Sequence, residues 1–508
     1  MYKVQSKYFS VLAFMLLLSS SMTNAQDKWE QAIKDELPRV LQKHREFVTL
    51  PNVSSVTADM YKNIDFIKPE FEKLGFDVRL LESSTLPVVF AEKITDKSAQ
   101  TILFYLHLDG QAVNPDRWDQ KDPFTPVLKA QNQSGAWEEI DWNNINENID
   151  PEWRIFGRAA ADDKGPITMM LVAMQLLKEQ GTSLKYNVKI VIDLEEESSS
   201  NGFLSTLEQY KKDYAADYMI IMDGPAHNTN KPTLTFGCRG IASCSITVYG
   251  AKLPQHSGHY GNYAPNPVFA LSHLLASMKS ENGRVLIDNY YDGIEITAEM
   301  NSILKGVPDN EEDIRKNLVI KKSDDVGNGY QESLQYPSLN VRQIETSWKG
   351  PGLKTIIPEI AMANLDVRLV AETDGAKQIE KIKKHIEKQG YLVLDRVPTD
   401  EERLNHQKIV NFQGNAGVNA FRTDIDAPIG QRLISAMDSY FGEKPISIRT
   451  MGGTVPIIPA INTLNIPAII VPMVNMDNNQ HNPNENLRIG NMIQGIKTCM
   501  VILTMDLD

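Results

Sequence analysis

Three things are scarce in this chain of 508 residues: cysteine, long apolar runs and an excess of positive charge. The three cysteines, Cys238, Cys244 and Cys499, are too few for a disulfide scaffold, and none has the C-x-x-C spacing of a metal or redox site. No apolar run is long enough to span a bilayer. The formal net charge of -13 argues against unspecific binding to nucleic acid. What remains is a globular protein of ordinary composition, large enough for several domains.

The first 25 residues have the features of a secretory signal peptide. Lys3 and Lys7 precede a short apolar run, VLAFMLLL, and the small residues Thr23 and Ala25 fit a cleavage site after Ala25. The prediction is a signal peptide over residues 1–25 and export to the periplasm or the exterior of a bacterium, with no membrane attachment after cleavage. An uncleaved anchor or a buried N-terminal helix is the alternative.

The order of strand and helix patterns predicts an α/β fold. Short apolar runs such as TILFYLH and NVKIVID alternate with helical segments, which is typical of a mostly parallel sheet. Between residues 241 and 420 the strands alternate between apolar and polar positions, and the order β-α-β-β-α-β predicts an inserted ferredoxin-like domain. The expected bounds are therefore 26–240 and 421–508 for the catalytic domain and 241–420 for the insertion. Segments 128–152 and 280–345 are polar and are expected to be irregular.

Acidic residues and histidines follow the predicted strands, at the point where each strand ends. The carboxyl ends of strands in an open α/β sheet are where sites are built, and these residue types are ligands for divalent cations. Singly, each cluster has an ordinary explanation as a strand-end histidine, a helix cap, a solvated loop or a turn. Together, the acids would repel one another unless a cation or protons neutralise them, so the pattern predicts a metal site. The clusters are His107 and Asp109; Asp162 and Asp163; Glu195, Glu196 and Glu197; Asp223; and His481.

The motifs that contain these residues resemble those of one enzyme family. YLHLDG, FGRAAADDKGP, DLEEESSSNG, MDGP and HNPNENL occur in the order found in the co-catalytic zinc peptidases. That family includes carnosinase, peptidase V, carboxypeptidase G, aminoacylase and succinyl-diaminopimelate desuccinylase. DDKGP, EES-x-S and TFGCRG are similar to the carnosinase and peptidase V branch.

The resemblance implies a role for each residue of the clusters. Asp162 corresponds to the carboxylate that bridges two zinc ions, and its peptide bond to Asp163 is often cis in the family. His107 and Asp223 would bind one ion, and Glu197 and His481 the other. Glu196 would be the general base, although three consecutive glutamates leave Glu195 as a competitor. Asp109 would orient the ring of His107.

The inserted domain, which the resemblance makes a lid or dimerisation domain, would supply substrate contacts. His256 lies in PQHSGHYGN, similar to the family motif whose histidine stabilises the oxyanion, but Pro254 replaces the usual acid and His259 is a second candidate. Arg368 resembles an arginine that binds a substrate carboxylate; an ion pair with Asp366 is the structural alternative. The loop TMGGTVP, with Gly453 and Thr454, and the preceding Arg449 resemble a loop that approaches substrate. Arg239 is expected to be structural.

The resemblance therefore predicts a hydrolase of amide bonds with two zinc ions, for which cobalt or manganese would also fit the ligands. The expected substrate is a dipeptide or a short peptide. The alternative within enzymes is an N-acyl amino acid deacylase, and the alternative outside them is a non-catalytic metal-binding protein. The sequence leaves open whether the protein is a monomer or a homodimer in which His256 acts across subunits.

Overall fold

The computed structural model describes residues 26–348, 352 and 354–507. The signal peptide predicted over residues 1–25 therefore lies outside the described residues. Among these, no helix is both long enough and apolar enough to cross a membrane. The strands are β1 (Asp77–Leu81), β2 (Val88–Lys93), β3 (Thr101–His107), β4 (Val127–Gln131), β5 (Trp137–Ile140), β6 (Arg154–Phe156), β7 (Asn187–Asp193), β8 (Tyr218–Ile221), β9 (Thr233–Thr235), β10 (Gly237–Cys238), β11 (Gly240–Tyr249), β12 (Gln255–His256), β13 (Ser338–Thr346), β14 (Ile356–Ile357), β15 (Ile360–Leu369), β16 (Leu392–Leu394), β17 (Ile409–Val418), β18 (Phe421–Arg422), β19 (Ile446–Ile448), β20 (Ala468–Ile470) and β21 (Asn486–Arg488).

The helices divide into long ones that cover sheets and short ones within loops. They are α1 (26–48), α2 (Thr57–Lys73), α3 (Lys164–Glu179), α4 (Asn201–Thr206), α5 (Lys211–Tyr214), α6 (Ser257–Tyr260), α7 (Pro267–Met278), α8 (Ala298–Gly306), α9 (Glu311–Leu318), α10 (Tyr330–Ser333), α11 (Gly375–Lys388), α12 (Asp400–Asn405), α13 (Pro428–Phe441), α14 (Ile458–Leu464) and α15 (Ile489–Thr504).

The chain forms two compact units. The first contains the described residues up to Leu234, Thr423–Ile446 and the described residues from Ala460 onward; the second contains Thr235–Arg422 and Ser447–Pro459. The domain bounds predicted from the sequence remain a prediction.

A large sheet has the strand order β1-β2-β7-β3-β8-β20-β9-β19, and its neighbouring strands β7, β3, β8 and β20 run parallel. Every residue of β7 is buried, and in β3 only Thr101 is partly exposed. Strands covered on both faces are mostly apolar, which explains the nearly continuous apolar runs in the sequence. The α/β class with a mostly parallel sheet is confirmed.

The second unit is built on a five-stranded sheet with the order β13-β15-β11-β17-β16. Along β11 and β15 the side chains alternate between buried and partly exposed, so one face forms the core with α7 and α11. Ile246, Leu365, Ile382 and Phe412 belong to this core. Taken along the chain, β11, α7, β13, β15, α11 and β17 have the ferredoxin-like order that the sequence predicts.

Two segments expected to be irregular are partly regular. In the first, β4 and β5 pair with each other, and β4 also pairs with β6 in a small sheet that includes β21. In the second, α8, α9 and α10 precede β13, which is an edge strand of the five-stranded sheet. Residues 340–344 of β13 are all exposed, so no alternation marks this strand in the sequence.

Candidate metal centre

The ends of parallel strands bring the predicted ligands into two groups. The ligand atoms of His107, Asp162 and Asp223 lie within 4.8 Å of one another, and so do those of Asp162, Glu197 and His481. Asp162 belongs to both groups, and each group could hold a metal ion. These are the pairings that the family resemblance implied, with the shared carboxylate between them; the individual ligand roles remain a prediction.

His107 is the last residue of β3 and is fully buried. Its Nδ1 donates to the backbone carbonyl of Asp109 at 3.1 Å, and its Nε2 lies 2.8 Å from Oδ1 of Asp162 and 3.9 Å from Oδ1 of Asp223. The bond at Nδ1 fixes the ring so that Nε2 faces the carboxylates.

Asp109 acts on its surroundings through two different groups. Its carbonyl accepts from the ring of His107, whereas its carboxylate oxygens accept hydrogen bonds from the backbone N–H groups of Glu196, at 3.0 Å, and Glu197, at 3.2 Å. The carboxylate lies 3.5 Å from the ring nitrogen. Asp109 therefore joins the end of β3 to the turn that carries the glutamates, a role that the sequence did not reveal.

The three consecutive glutamates point to different partners. The carboxylate of Glu195 accepts hydrogen bonds from the Thr85 hydroxyl, from N–H of Leu86 at 3.3 Å and from N–H of Gly202 at 3.1 Å. Glu197 lies 3.1 Å from Nε2 of His481. The carboxyl of Glu196 experiences the charges of His107, Asp223 and Asp162. The carboxylate of Glu195 is thus engaged by Leu86 and Gly202, whereas that of Glu196 interacts with the charges of the donor groups.

Asp162 lies in the segment between β6 and α3, and its peptide bond to Asp163 is cis, as the resemblance implied. Asp163 Oδ2 accepts a hydrogen bond from N–H of His107 at 3.1 Å. His481 approaches from the loop before β21, where Nε2 lies 3.2 Å from Oδ2 of Asp162. Gln111, which the sequence reasoning missed, donates from Nε2 to Oε2 of Glu197 at 2.7 Å.

The pKa values of the two histidines show that this cluster of carboxylates favours positive charge. Hydrogen bonds to Asp162 and Glu197 raise the pKa of His481 to about 10. Burial opposes the charged form of His107, but its bonds to Asp109 and Asp162 raise its pKa well above the usual value.

The pKa values of the neighbouring acids are shifted as well. Burial raises the pKa of Glu196 well above its usual value and that of Asp223 to about 6, with repulsion from Asp162 adding to both. Burial also opposes the charge of Asp162, but hydrogen bonds to both imidazoles lower its pKa. The carboxylates thus stabilise positive charge on the two imidazoles that lie beside them. A site made of carboxylate oxygens and imidazole nitrogens also suits divalent cations.

The predicted substrate residues lie in the second unit. Arg368 donates from Nη1 to the Thr454 hydroxyl at 2.7 Å, and that hydroxyl donates to the carbonyl of Arg239 at 2.6 Å. Gly453 accepts from N–H of Arg239 at 3.1 Å. No ion pair joins Arg368 to Asp366 in the part of the chain that the structure describes.

Arg449 and His256 have other surroundings. Arg449 donates to Oε1 of Gln335 at 2.5 Å and lies 3.7 Å from the carboxylate of Glu372. His256 is exposed at the end of β12, with its ring centroid 4.8 Å from that of His259. The substrate roles of these residues stay predictions.

A comparison with family models decides the identity. The model of Peptidase family M20/M25/M40 matches residues 103–504. The chain belongs to this family. It is therefore a peptidase, and the resemblance that the motifs carry is confirmed.

Individual relatives of this M20 peptidase agree with that assignment. The chain is 26% identical over 490 residues to the Cys-Gly metallodipeptidase dug1 of Schizosaccharomyces pombe, covering 91% of this chain and 96% of the relative. It is 27% identical over 418 residues to the Beta-Ala-His dipeptidase of Homo sapiens, covering 81% and 76%. The crystal structure of the M20 family metallo-carboxypeptidase Sso-CP2 from Sulfolobus solfataricus matches with a TM-score of 0.71 and 26% identity, covering 91% of this chain and 98% of that one.

The same comparisons correct the predicted location. The prediction of an exported bacterial enzyme, periplasmic or extracellular, was wrong. The metallodipeptidases that align along nearly their whole lengths, 96% in Schizosaccharomyces pombe and 98% in Saccharomyces cerevisiae, are proteins of yeasts, which have no bacterial periplasm. The prediction relied on residues 1–25, which lie outside the described residues.

Proposed function

We propose that this M20 peptidase is a dipeptidase whose centre holds two divalent metal ions, zinc in the resting enzyme. The observation that supports this most directly is the sharing of Asp162 between two donor groups, with Glu196 beside them. A shared carboxylate places two cations close together, which suits hydrolysis of an amide. Cobalt or manganese would be held by the same donors.

In the first group His107 and Asp223 would hold an ion, and in the second Glu197 and His481 would do so. When bound, a pair of divalent cations lowers the pKa of a water molecule and polarises the scissile carbonyl. Glu196 takes a proton from the attacking water and then gives it to the amine of the departing amino acid. Asp109 keeps the ring of His107 and the backbone of Glu196 in place for this transfer.

The dipeptide substrate is proposed from the relatives. The two relatives described above are named as a Cys-Gly metallodipeptidase and a Beta-Ala-His dipeptidase. Arg368 and Thr454 offer a guanidinium and a hydroxyl that suit the C-terminal carboxylate of such a substrate. His256 is proposed to donate to the oxyanion of the tetrahedral intermediate.

A paired assay tests the proposal. Zinc-loaded enzyme is given Cys-Gly and β-Ala-His on one side and N-acetyl-cysteine and N-acetyl-histidine on the other, each with and without a chelator. We expect hydrolysis of the free dipeptides that the chelator abolishes. Hydrolysis of the acetylated amino acids alone would replace the dipeptidase by a deacylase, and activity that survives removal of all metal would refute the metal mechanism.

A further inference from the structure

One buried carboxylate has no part in the proposed chemistry. Glu485 is 1% exposed and lies in the loop between His481 and β21. Its Oε1 accepts hydrogen bonds from the backbone N–H groups of Ala161, at 3.1 Å, and Asp162, at 3.0 Å.

The other oxygen of Glu485 completes the arrangement. Oε2 accepts from N–H of Ala159 at 3.0 Å and from Nη1 of Arg158 at 2.7 Å. Arg158 is itself 3% exposed, so the ion pair is buried. The carboxylate of Glu485 therefore accepts four hydrogen bonds, three from backbone N–H groups and one from a guanidinium, and all four donors lie within residues 158–162.

This segment needs an acceptor from outside itself. Residues 158–162 form neither a helix nor a strand, so the buried N–H groups of Ala159, Ala161 and Asp162 have no partner in a regular ladder. Ala159 also has φ of 61°, in the left-handed region that costs a residue with a Cβ atom about 1 kcal/mol. Without Glu485, these three buried N–H groups would lose the acceptor that stabilises this backbone conformation.

The same carboxylate joins two ligand-bearing segments. His481 lies four residues before Glu485, and its Nε2 is 3.2 Å from Oδ2 of Asp162. Arg158 reinforces the link by donating from Nη2 to the carbonyl of Asn482 at 3.4 Å. Because Asp162 belongs to both donor groups, a shift of its backbone would alter both at once.

We infer that Glu485 is a positioning residue of the metal centre, holding the main chain of Asp162 at the place where both donor groups share its carboxylate. The inference rests on the proposed metal centre. Glu485 touches neither substrate nor metal in this scheme; it acts through the backbone of Asp162 and the loop of His481.

The test is the Zn²⁺ affinity of the full-length Glu485→Gln variant. Glutamine keeps the size of the side chain, but its nitrogen accepts no hydrogen bond, so one pair of donors loses its acceptor. Metal-free protein is titrated with Zn²⁺ against a chromophoric chelator, and we expect affinity about 10- to 100-fold weaker than in the wild type. Glu332→Gln is the matched control, because Glu332 is a buried glutamate of the second unit that accepts from Nδ2 of Asn328.

The Zn²⁺ affinity and the stability, measured together, distinguish a failure of this inference from a failure of the proposed function. Unfolding by urea is followed on the metal-free proteins, so that affinity refers to folded protein. A variant that is less stable but binds Zn²⁺ as the wild type does would overturn the positioning role and leave the proposed function standing. Failure of the wild type itself to bind Zn²⁺ would refute the metal centre and this inference with it.

A second variant covers the case in which Glu485→Gln does not fold. Glu485→Asp keeps the charge but is one methylene shorter, so its oxygens cannot reach both pairs of donors. We expect Zn²⁺ binding weakened in the same range, and wild-type affinity in the aspartate variant would overturn the inference.

Discussion

At the scale of single residues, the proposal depends most on Glu196. In Glu196→Gln the proton acceptor is lost, while His107, Asp162, Asp223, Glu197 and His481 remain. We expect kcat/KM for dipeptides to fall by about 10²- to 10⁴-fold, the usual contribution of a general base, with the metal content unchanged. Activity measured beside metal analysis of the same preparation checks both parts.

The neighbouring glutamate provides the control. The carboxylate of Glu195 is engaged by Leu86 and Gly202 rather than by the donor groups, so Glu195→Gln should change kcat/KM far less. An equal loss in both variants would mean that the turn, and not the acid of Glu196, is what the reaction needs.

The sequence revealed some of these residues because their positions carry a signal. His107 ends an apolar strand and Asp223 follows another, and strand ends meet at one edge of a parallel sheet. Glu485 and Gln111 carry no such signal. A glutamate in an asparagine-rich loop has the pattern of a solvated surface, and only the fold shows that Glu485 is buried against the backbone of Asp162.

At the scale of elements, α1 is fastened to the segment that precedes α3. His44 of α1 is fully buried, with Nε2 3.1 Å from the carbonyl of Ala160 and Nδ1 2.9 Å from the Thr168 hydroxyl. Burial lowers the pKa of His44 to about 3. The helix therefore contacts the metal-binding segment through a neutral imidazole.

This contact predicts a dependence of stability on pH. Below the ordinary pKa of 6.5 the unfolded chain binds a proton at His44 that the folded chain does not, so the free energy of unfolding falls as pH falls from 6.5 toward 3. The loss from this residue is about 1.4 kcal/mol per pH unit, or about 2 kcal/mol at pH 5. Urea unfolding of metal-free protein at pH 7 and pH 5 measures it.

The variant His44→Gln isolates the effect. Glutamine can still donate to Ala160 but does not titrate, so its stability should fall less between pH 7 and pH 5 than that of the wild type. His406→Gln, at an exposed histidine, should keep the wild-type difference. Identical pH dependence in His44→Gln and the wild type would contradict the prediction.

Elements were predictable from the sequence where burial imposes a period. The alternation along β11 and β15 marks a sheet with one covered face, and the runs in β3 and β7 mark strands covered on both. The edge strand β13 was not predicted from the sequence, because its central residues are exposed on both faces. Polar residues in such a strand follow no pattern that distinguishes them from a loop.

At the scale of the whole molecule, the proposed ligands belong to one unit. His107, Asp162, Glu197, Asp223 and His481 all lie in the first unit, whereas the core formed by Ile246, Leu365, Ile382 and Phe412 belongs to the second. Metal that binds only folded protein stabilises it by about 2.7 kcal/mol at a free concentration 100 times its Kd. That stabilisation should be local to the segments that supply the ligands.

Hydrogen exchange followed by mass spectrometry can locate it. On chelation we expect faster exchange at amides of the first unit that join the ligand-bearing segments. These are the amides of Ala161, Asp162, Glu196 and Glu197. Their acceptors, the carboxylates of Glu485 and Asp109, lie beside the ligands that lose their cation. The amides of β11 and β15 should exchange at unchanged rates, and added Zn²⁺ should restore protection in the first unit. Equal acceleration in both units would mean that metal stabilises the molecule as a whole, and the assignment of the metal centre to the first unit alone would then fail.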